Sequence, residues 1–71
     1  MTVADRARAN GLALDAIRGA YPRLLDHLGV TRTESGCNGV TVYGLDRYGV
    51  AIVCVFLHPD GYVLDVRRIY G

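Results

Sequence analysis

Four side chains in this sequence are of the kinds that hold metal ions or attack electrophiles: His27, Cys37, Cys54 and His58. A tetrahedral metal site usually draws on local pairs such as CxxC or HxxxH, because one turn or loop must aim both ligands at one ion. No two of the four stand at such a spacing, and Cys54 lies within an apolar run, where a thiol acts as a small hydrophobe. No metal and no cofactor is expected. Cys37, in the segment SGCNG, has glycine flanks that can expose a nucleophile, but activation needs a base within reach. The only pair on offer, His58 with Asp60, sits on a hairpin turn that nothing in the sequence brings to Cys37, and SGCNG lacks the lysine of a phosphate-binding loop. No catalytic residue is assigned, and the chain is read as non-enzymatic.

All eight basic residues are arginines, the formal net charge is +1, and neither half of the chain is strongly charged. That balance supplies no general attraction to nucleic acid or to an acidic membrane. Arg6, Arg8, Arg18 and Arg23 in the N-terminal region give a nucleic-acid-binding regulator as the rival reading. The interspersed Asp5, Asp15 and Asp26 weigh against a stripe that tracks phosphates. Arginine without lysine, beside abundant Ala, Gly, Val and Asp, suggests coding by a high-GC bacterium or a phage that infects one, and the small reading frame leans toward the phage.

The elements that must position these groups are few. A chain of 71 residues forms one domain, 1–71, with a small core. Thr2 is placed to cap a helix, and Leu14, Ile17, Tyr21, Leu24 and Leu28 fall at helical spacing. Pro22 and Gly19 interrupt the stripe, which predicts a kinked helix or two short helices over residues 3–29, with Gly29 as the stop. Residues 30–38, rich in Thr, Ser and Gly, read as a loop. From residue 39 to 70 the period becomes two, predicting a three-stranded antiparallel β-meander joined at DRYG and HPDG. Gly49 and Gly61 suit type I turns followed by a bulge. The expected fold class is α+β, the helical region packed on the meander.

The stretch from Val50 to Leu57 has no polar residue, and alternate side chains of a strand face opposite ways, so both faces of this strand ask for cover. Simple counting from the two turns pairs Cys54 with Val66 and with Val42. It places Val40, Val42, Ile52, Cys54 and Phe56 under the helix. The opposite face then carries Tyr43, Val53, Val55 and Leu57, with Arg67 at its rim. An apolar face left open marks an interaction surface, the alternative being that the helical segments wrap round the sheet edge or fold onto this face and cover it internally. These five residues are the expected partner-binding site, the partner being a second copy in a homodimer or a host protein that this chain modulates. Nucleic acid and membrane are not expected as partners. No run approaches the ~20 apolar residues of a membrane-spanning helix, the N-terminal residues lack the apolar core of a secretory signal, and the unpaired cysteines fit a cytoplasmic location.

Overall fold

The computed structural model describes residues 3–69. Helix α1 spans Val3–Ala20 and is followed by a 3-10 helix, Pro22–His27. Four strands follow, β1 Leu28–Gly36, β2 Gly39–Asp46, β3 Ala51–Leu57 and β4 Val63–Arg68, forming one antiparallel sheet in the order β1-β2-β3-β4. The fold is α+β, as the sequence suggests, but the sheet has four strands rather than three.

The helix buries Ala9, Ala13 and Ile17, one residue per turn along a single face, flanked by Leu12 and Ala16. Gly11 and Gly19 point into open space. Of the expected stripe, Ile17, Tyr21, Leu24 and Leu28 join or pack against the core, whereas Leu14 lies outside it. Alanine carries so little weight in a leucine-based pattern that the true face is easily passed over. Pro22 divides the helical region in two: the Tyr21 backbone N–H closes the last α-helical bond on the Ile17 carbonyl at 2.7 Å, and the proline, with no N–H to offer, opens the 3-10 helix. The Thr2 cap lies outside the described residues.

The main correction to the topology is β1. Residues 28–36 form a nine-residue edge strand in place of most of the expected loop, and only Cys37 and Asn38 remain as the turn into β2. The polar composition conceals a two-residue period: Thr31 and Thr33 turn inward, half-buried, while Arg32 and Glu34 turn outward. The Thr31 hydroxyl donates to the side-chain carbonyl of Asn10, tying this edge to α1. Gly29 does not end a helix. It sits at a bulge in β1, where a Cβ would lie 3.0 Å from the Asp46 carbonyl oxygen. Gly39 is required at the other end of the strand pair, with φ 134° and the Leu57 carbonyl occupying the space a side chain would need.

Both expected turns are present. Gly49 and Gly61 have φ of 80° and 96°, and their backbone N–H groups donate to the carbonyls of Asp46 and His58. Beyond each turn one extra residue enters the ladder. Ile52 is inserted between the pairs Leu45–Ala51 and Gly44–Val53, and Leu64 between Leu57–Val63 and Phe56–Asp65. Each bulge slips the register by one, which exchanges the faces of the affected strand. Val55 therefore lies between Val42 and Val66, and Cys54 lies between Tyr43 and Arg67. The side of β3 under the helix consists of Val53, Val55 and Leu57, and Ile52 joins them in the core because of its bulge. The expected assignment of Val53, Val55 and Leu57 to the open face is overturned: Val53 and Val55 have no exposed area and Leu57 has 3%.

This register yields a direct test. Val53→Asp buries an unpaired charge and is expected to cost more than about 3 kcal/mol, abolishing the cooperative thermal transition. Phe56→Asp, on the opposite face of the same strand, is expected to retain the native circular dichroism spectrum and a cooperative melt.

Candidate functional site

The face away from α1 carries two full rows of side chains running across the four strands, and the apolar pair Val30–Leu45 extends it beyond the first row. The first row is Arg32, Tyr43, Cys54 and Arg67, each directly paired with the next, and the second is Glu34, Thr41, Phe56 and Asp65. Paired residues share a face, so the rows form a two-by-four array with the charges at the two edges. The arginines are both in one row and the carboxylates both in the other. Between them the large and small side chains alternate diagonally, Tyr43 and Phe56 against Cys54 and Thr41. Leu64, displaced by its bulge, is 55% exposed, and it borders a shallow cleft that Phe56 and Thr41 also line.

Each arginine leans over an aromatic ring. The Arg32 guanidinium lies 5.0 Å from the centre of the Tyr43 ring, and that of Arg67 lies 5.7 Å from the centre of Phe56. Each also meets the acid of the other row on its own strand. Arg67 Nε donates to an Asp65 carboxylate oxygen at 2.8 Å, and Arg32 Nε stands 3.6 Å from Glu34. The aliphatic stems and ring contacts keep Tyr43 and Phe56 largely covered and leave Cys54, in a dip between Tyr43 and Arg67, buried at 6% exposure.

The titration behaviour follows from these contacts. The hydrogen bond from Arg67 holds the Asp65 carboxyl below the usual carboxylate range, assisted by the Val66 backbone N–H, and the same bond raises Arg67. Burial pushes the Cys54 thiol up, with Arg67 partly opposing. A carboxylate depressed in the folded state adds stability above its ordinary value of about 3.9, and that stability is lost as pH falls through the folded value. A raised thiol acts in the opposite direction: its contribution is lost as pH rises past the ordinary thiol value of about 8.5.

Of the five residues singled out in the sequence, Tyr43 and Arg67 lie on this open face, and Val53, Val55 and Leu57 lie beneath the helix. Sequence reasoning missed Phe56, placed on the wrong side by the register slip, and Arg32 and Glu34, hidden in what reads as a loop. Arg32 and Glu34 could have been found from the alternation in Thr31–Arg32–Thr33–Glu34; nothing in the local sequence marks Phe56.

The other chemistry-bearing groups do not converge. Among the described residues no three His, Cys, Asp or Glu side chains gather as a metal site. Cys37 is exposed in the β1–β2 turn. His58 stacks on Tyr62 with ring centres 4.5 Å apart, and its Nδ1 accepts the Asp60 backbone N–H at 3.0 Å. That bond organises the β3–β4 turn.

A groove of about 660 Å³ opens beside the 3-10 helix. Tyr21, Leu24 and Ile52 contribute apolar surface to it, and Arg23, Arg47 and Arg68 contribute charge. Among the described residues its one carboxylate is Asp46, engaged by the backbone N–H groups of Tyr48 and Val50 at 2.9 and 3.0 Å. Arg68 reaches this groove because adjacent strand residues face opposite ways, so it parts from Arg67.

In a carboxyl-detected NMR titration, Asp65 is expected to have a midpoint below the ordinary range, and Arg67→Gln is expected to return it upward. In the folded protein a small thiol reagent is expected to label Cys37 and to reach Cys54 only when the chain unfolds. No family model, no curated protein and no solved structure matches this chain.

Proposed function

We propose that the protein is a small non-enzymatic binding module whose working surface is the open face of its sheet. It acts by covering that face with another protein chain, as a dimer or as a stoichiometric modulator of a host protein. The observation that carries this reading is the asymmetry of the sheet. Both helical segments lie on one side, while the other presents Tyr43, Phe56 and Leu64 in an arginine and carboxylate frame. Aromatic side chains and arginines are the groups that dominate binding energy when water is excluded around them. The anchors move accordingly from the buried aliphatic trio to Tyr43, Phe56 and Arg67. Free Cys37 and Cys54 fit a reducing compartment, and the cytoplasm is the proposed location.

A second reading is favoured by the groove that Arg23, Arg47 and Arg68 share with Tyr21 and Tyr48. None of these three arginines is held in an ion pair within the described structure, so the groove has cationic surface for an anionic ring compound or a nucleic-acid end. It relocates the nucleic-acid alternative from the helix arginines, of which only Arg23 takes part. Binding of a fluorescent oligonucleotide at low salt, weakened at least about tenfold in Arg23→Ala/Arg68→Ala, would support this reading. Absence of binding at low salt would remove it.

The open-face reading is tested by hydroxyl-radical footprinting in dilute buffer and in an extract of the host cell or at high protein concentration. Oxidation of Tyr43 and Phe56 is expected to drop several-fold under the second conditions. Tyr48 and Tyr62, which are 79% and 53% exposed and lie outside the two rows, are expected to remain unchanged. Equal oxidation of all four under every condition would overturn the reading.

A further inference from the structure

We propose that the partner for the open face is a second copy of this chain, packed sheet to sheet about a twofold axis that runs across the strands, between the two rows. The proposal rests on the open-face reading above and names its occupant.

The array itself selects this geometry. Two identical sheets stacked face to face with their strands aligned can be related by a twofold axis along the strands or by one across them. An axis along the strands lays each row on its own copy, so Arg32 meets the partner's Arg67 and Glu34 meets the partner's Asp65. Like charges then oppose at every edge. An axis across the strands lays each row on the other row. Arg32 then meets the partner's Glu34, Glu34 the partner's Arg32, Arg67 the partner's Asp65, and Asp65 the partner's Arg67.

All four edge contacts are complementary, and each edge of the sandwich closes as a square of alternating charge. Sterics alone admit both axes, because the diagonal of large Tyr43 and Phe56 against small Cys54 and Thr41 fits its own copy either way. In the across-strand arrangement Tyr43 stands over the partner's Thr41 and Phe56 over the partner's Cys54. Charge is therefore what decides.

The hydrogen bonds leave room for the partner. Within the chain Arg67 meets Asp65 through Nε, and Arg32 meets Glu34 through Nε. A guanidinium has five N–H donors, so the outer nitrogens of both remain to reach a facing carboxylate. The acids and arginines of this face are half-exposed or more, at 49–69% of their side-chain area, so they have water to lose on closure. Four strands at about 4.8 Å spacing and about seven residues at about 3.4 Å give a face on the order of 450 Å² in projection. That is below the roughly 800 Å² per partner of a standard interface and in the range of weak, transient ones, so it implies a dimer that dissociates on dilution.

The test uses two double reversals that leave net charge untouched. Arg32→Glu/Asp65→Arg places two acids on β1 and two arginines on β4. Glu34→Arg/Arg67→Glu does the opposite. About the across-strand axis each variant sets like charges against like when paired with itself, and every contact is complementary when the two are mixed. About the along-strand axis each variant would instead be complementary with itself.

Light scattering on a sizing column, from about 1 μM to about 1 mM, is expected to show wild type dimerising with concentration and dissociating with added salt. Each reversal alone is expected to raise the dimer dissociation constant about a hundredfold or more, and the equimolar mixture to recover the dimer. None of the four positions touches the helix, so unchanged circular dichroism is expected. Should a reversal unfold, the gentler Arg32→Gln/Arg67→Gln is expected to weaken the dimer about tenfold.

A reversal that dimerises as well as wild type, a folded mixture that stays monomeric, or a wild type monomeric throughout would overturn the proposal. A monomeric wild type whose Tyr43 and Phe56 are nonetheless protected in host extract removes the second copy and leaves the open-face reading standing. Loss of protection everywhere removes both.

Discussion

The contact on which the rest of the molecule depends is that between the alanine-lined face of α1 and the valines of the two central strands. Ala9 and Ala13 present only methyl groups, so the helix can lie close over Val42, Val53 and Val55, and Ile17 closes the stack. Burying each of the large members of this layer stabilises the fold by about 2 kcal/mol, set against the backbone entropy of ordering a short chain. With one such helix and one such sheet, there is a single core layer. The 3-10 helix after Pro22 extends it toward the sheet end through Leu24 and Leu25 rather than crossing to the other side.

That limit on covering material gives the opposite face its character. A fully aliphatic open face would invite aggregation. Instead the rings of Tyr43 and Phe56 sit beneath arginine, and each arginine is held by an acid two residues away on its own strand. The paired charges keep the free face hydrated, and under the proposed reading the stems and rings below them are covered only when a partner supplies counter-charges. Electrostatics of this kind contributes orientation and selectivity more than raw affinity. The hydrophobic part of the array is small, so in the proposed dimer the arrangement of charge, more than the apolar area, sets how the two surfaces meet.

Much of this was legible in the residues themselves, and the exceptions share a cause. Helix, break and turns each have local signatures: Pro22 cannot donate a backbone hydrogen bond, and Gly49 and Gly61 accept the left-handed conformation that a type I turn with a bulge demands. The bulges at Ile52 and Leu64 have no such mark. Both are ordinary strand formers, and the extra residue is accommodated because it puts three contiguous core positions, Val53, Val55 and Leu57, beneath the helix. Simple counting from a correctly placed turn therefore gave the right pairing at His58–Tyr62 and the wrong face two residues later. Strand β1 was hidden for a different reason: it is an edge strand whose inward residues are threonines, so its period is written in hydroxyls and charges rather than in aliphatics. The two errors together concealed the array, since one removed its first column and the other replaced Phe56 by Val55.

The most direct measurement is a methyl- and aromatic-resolved NMR nuclear Overhauser experiment on the native protein. The bulged register predicts cross-peaks from the methyls of Ala13 and Ile17 to those of Val53 and Val55, and none from those helix methyls to the Phe56 ring. Strong cross-peaks from Ile17 to Phe56, with Val55 silent toward the helix, would place the aliphatic trio on the open face and contradict this architecture.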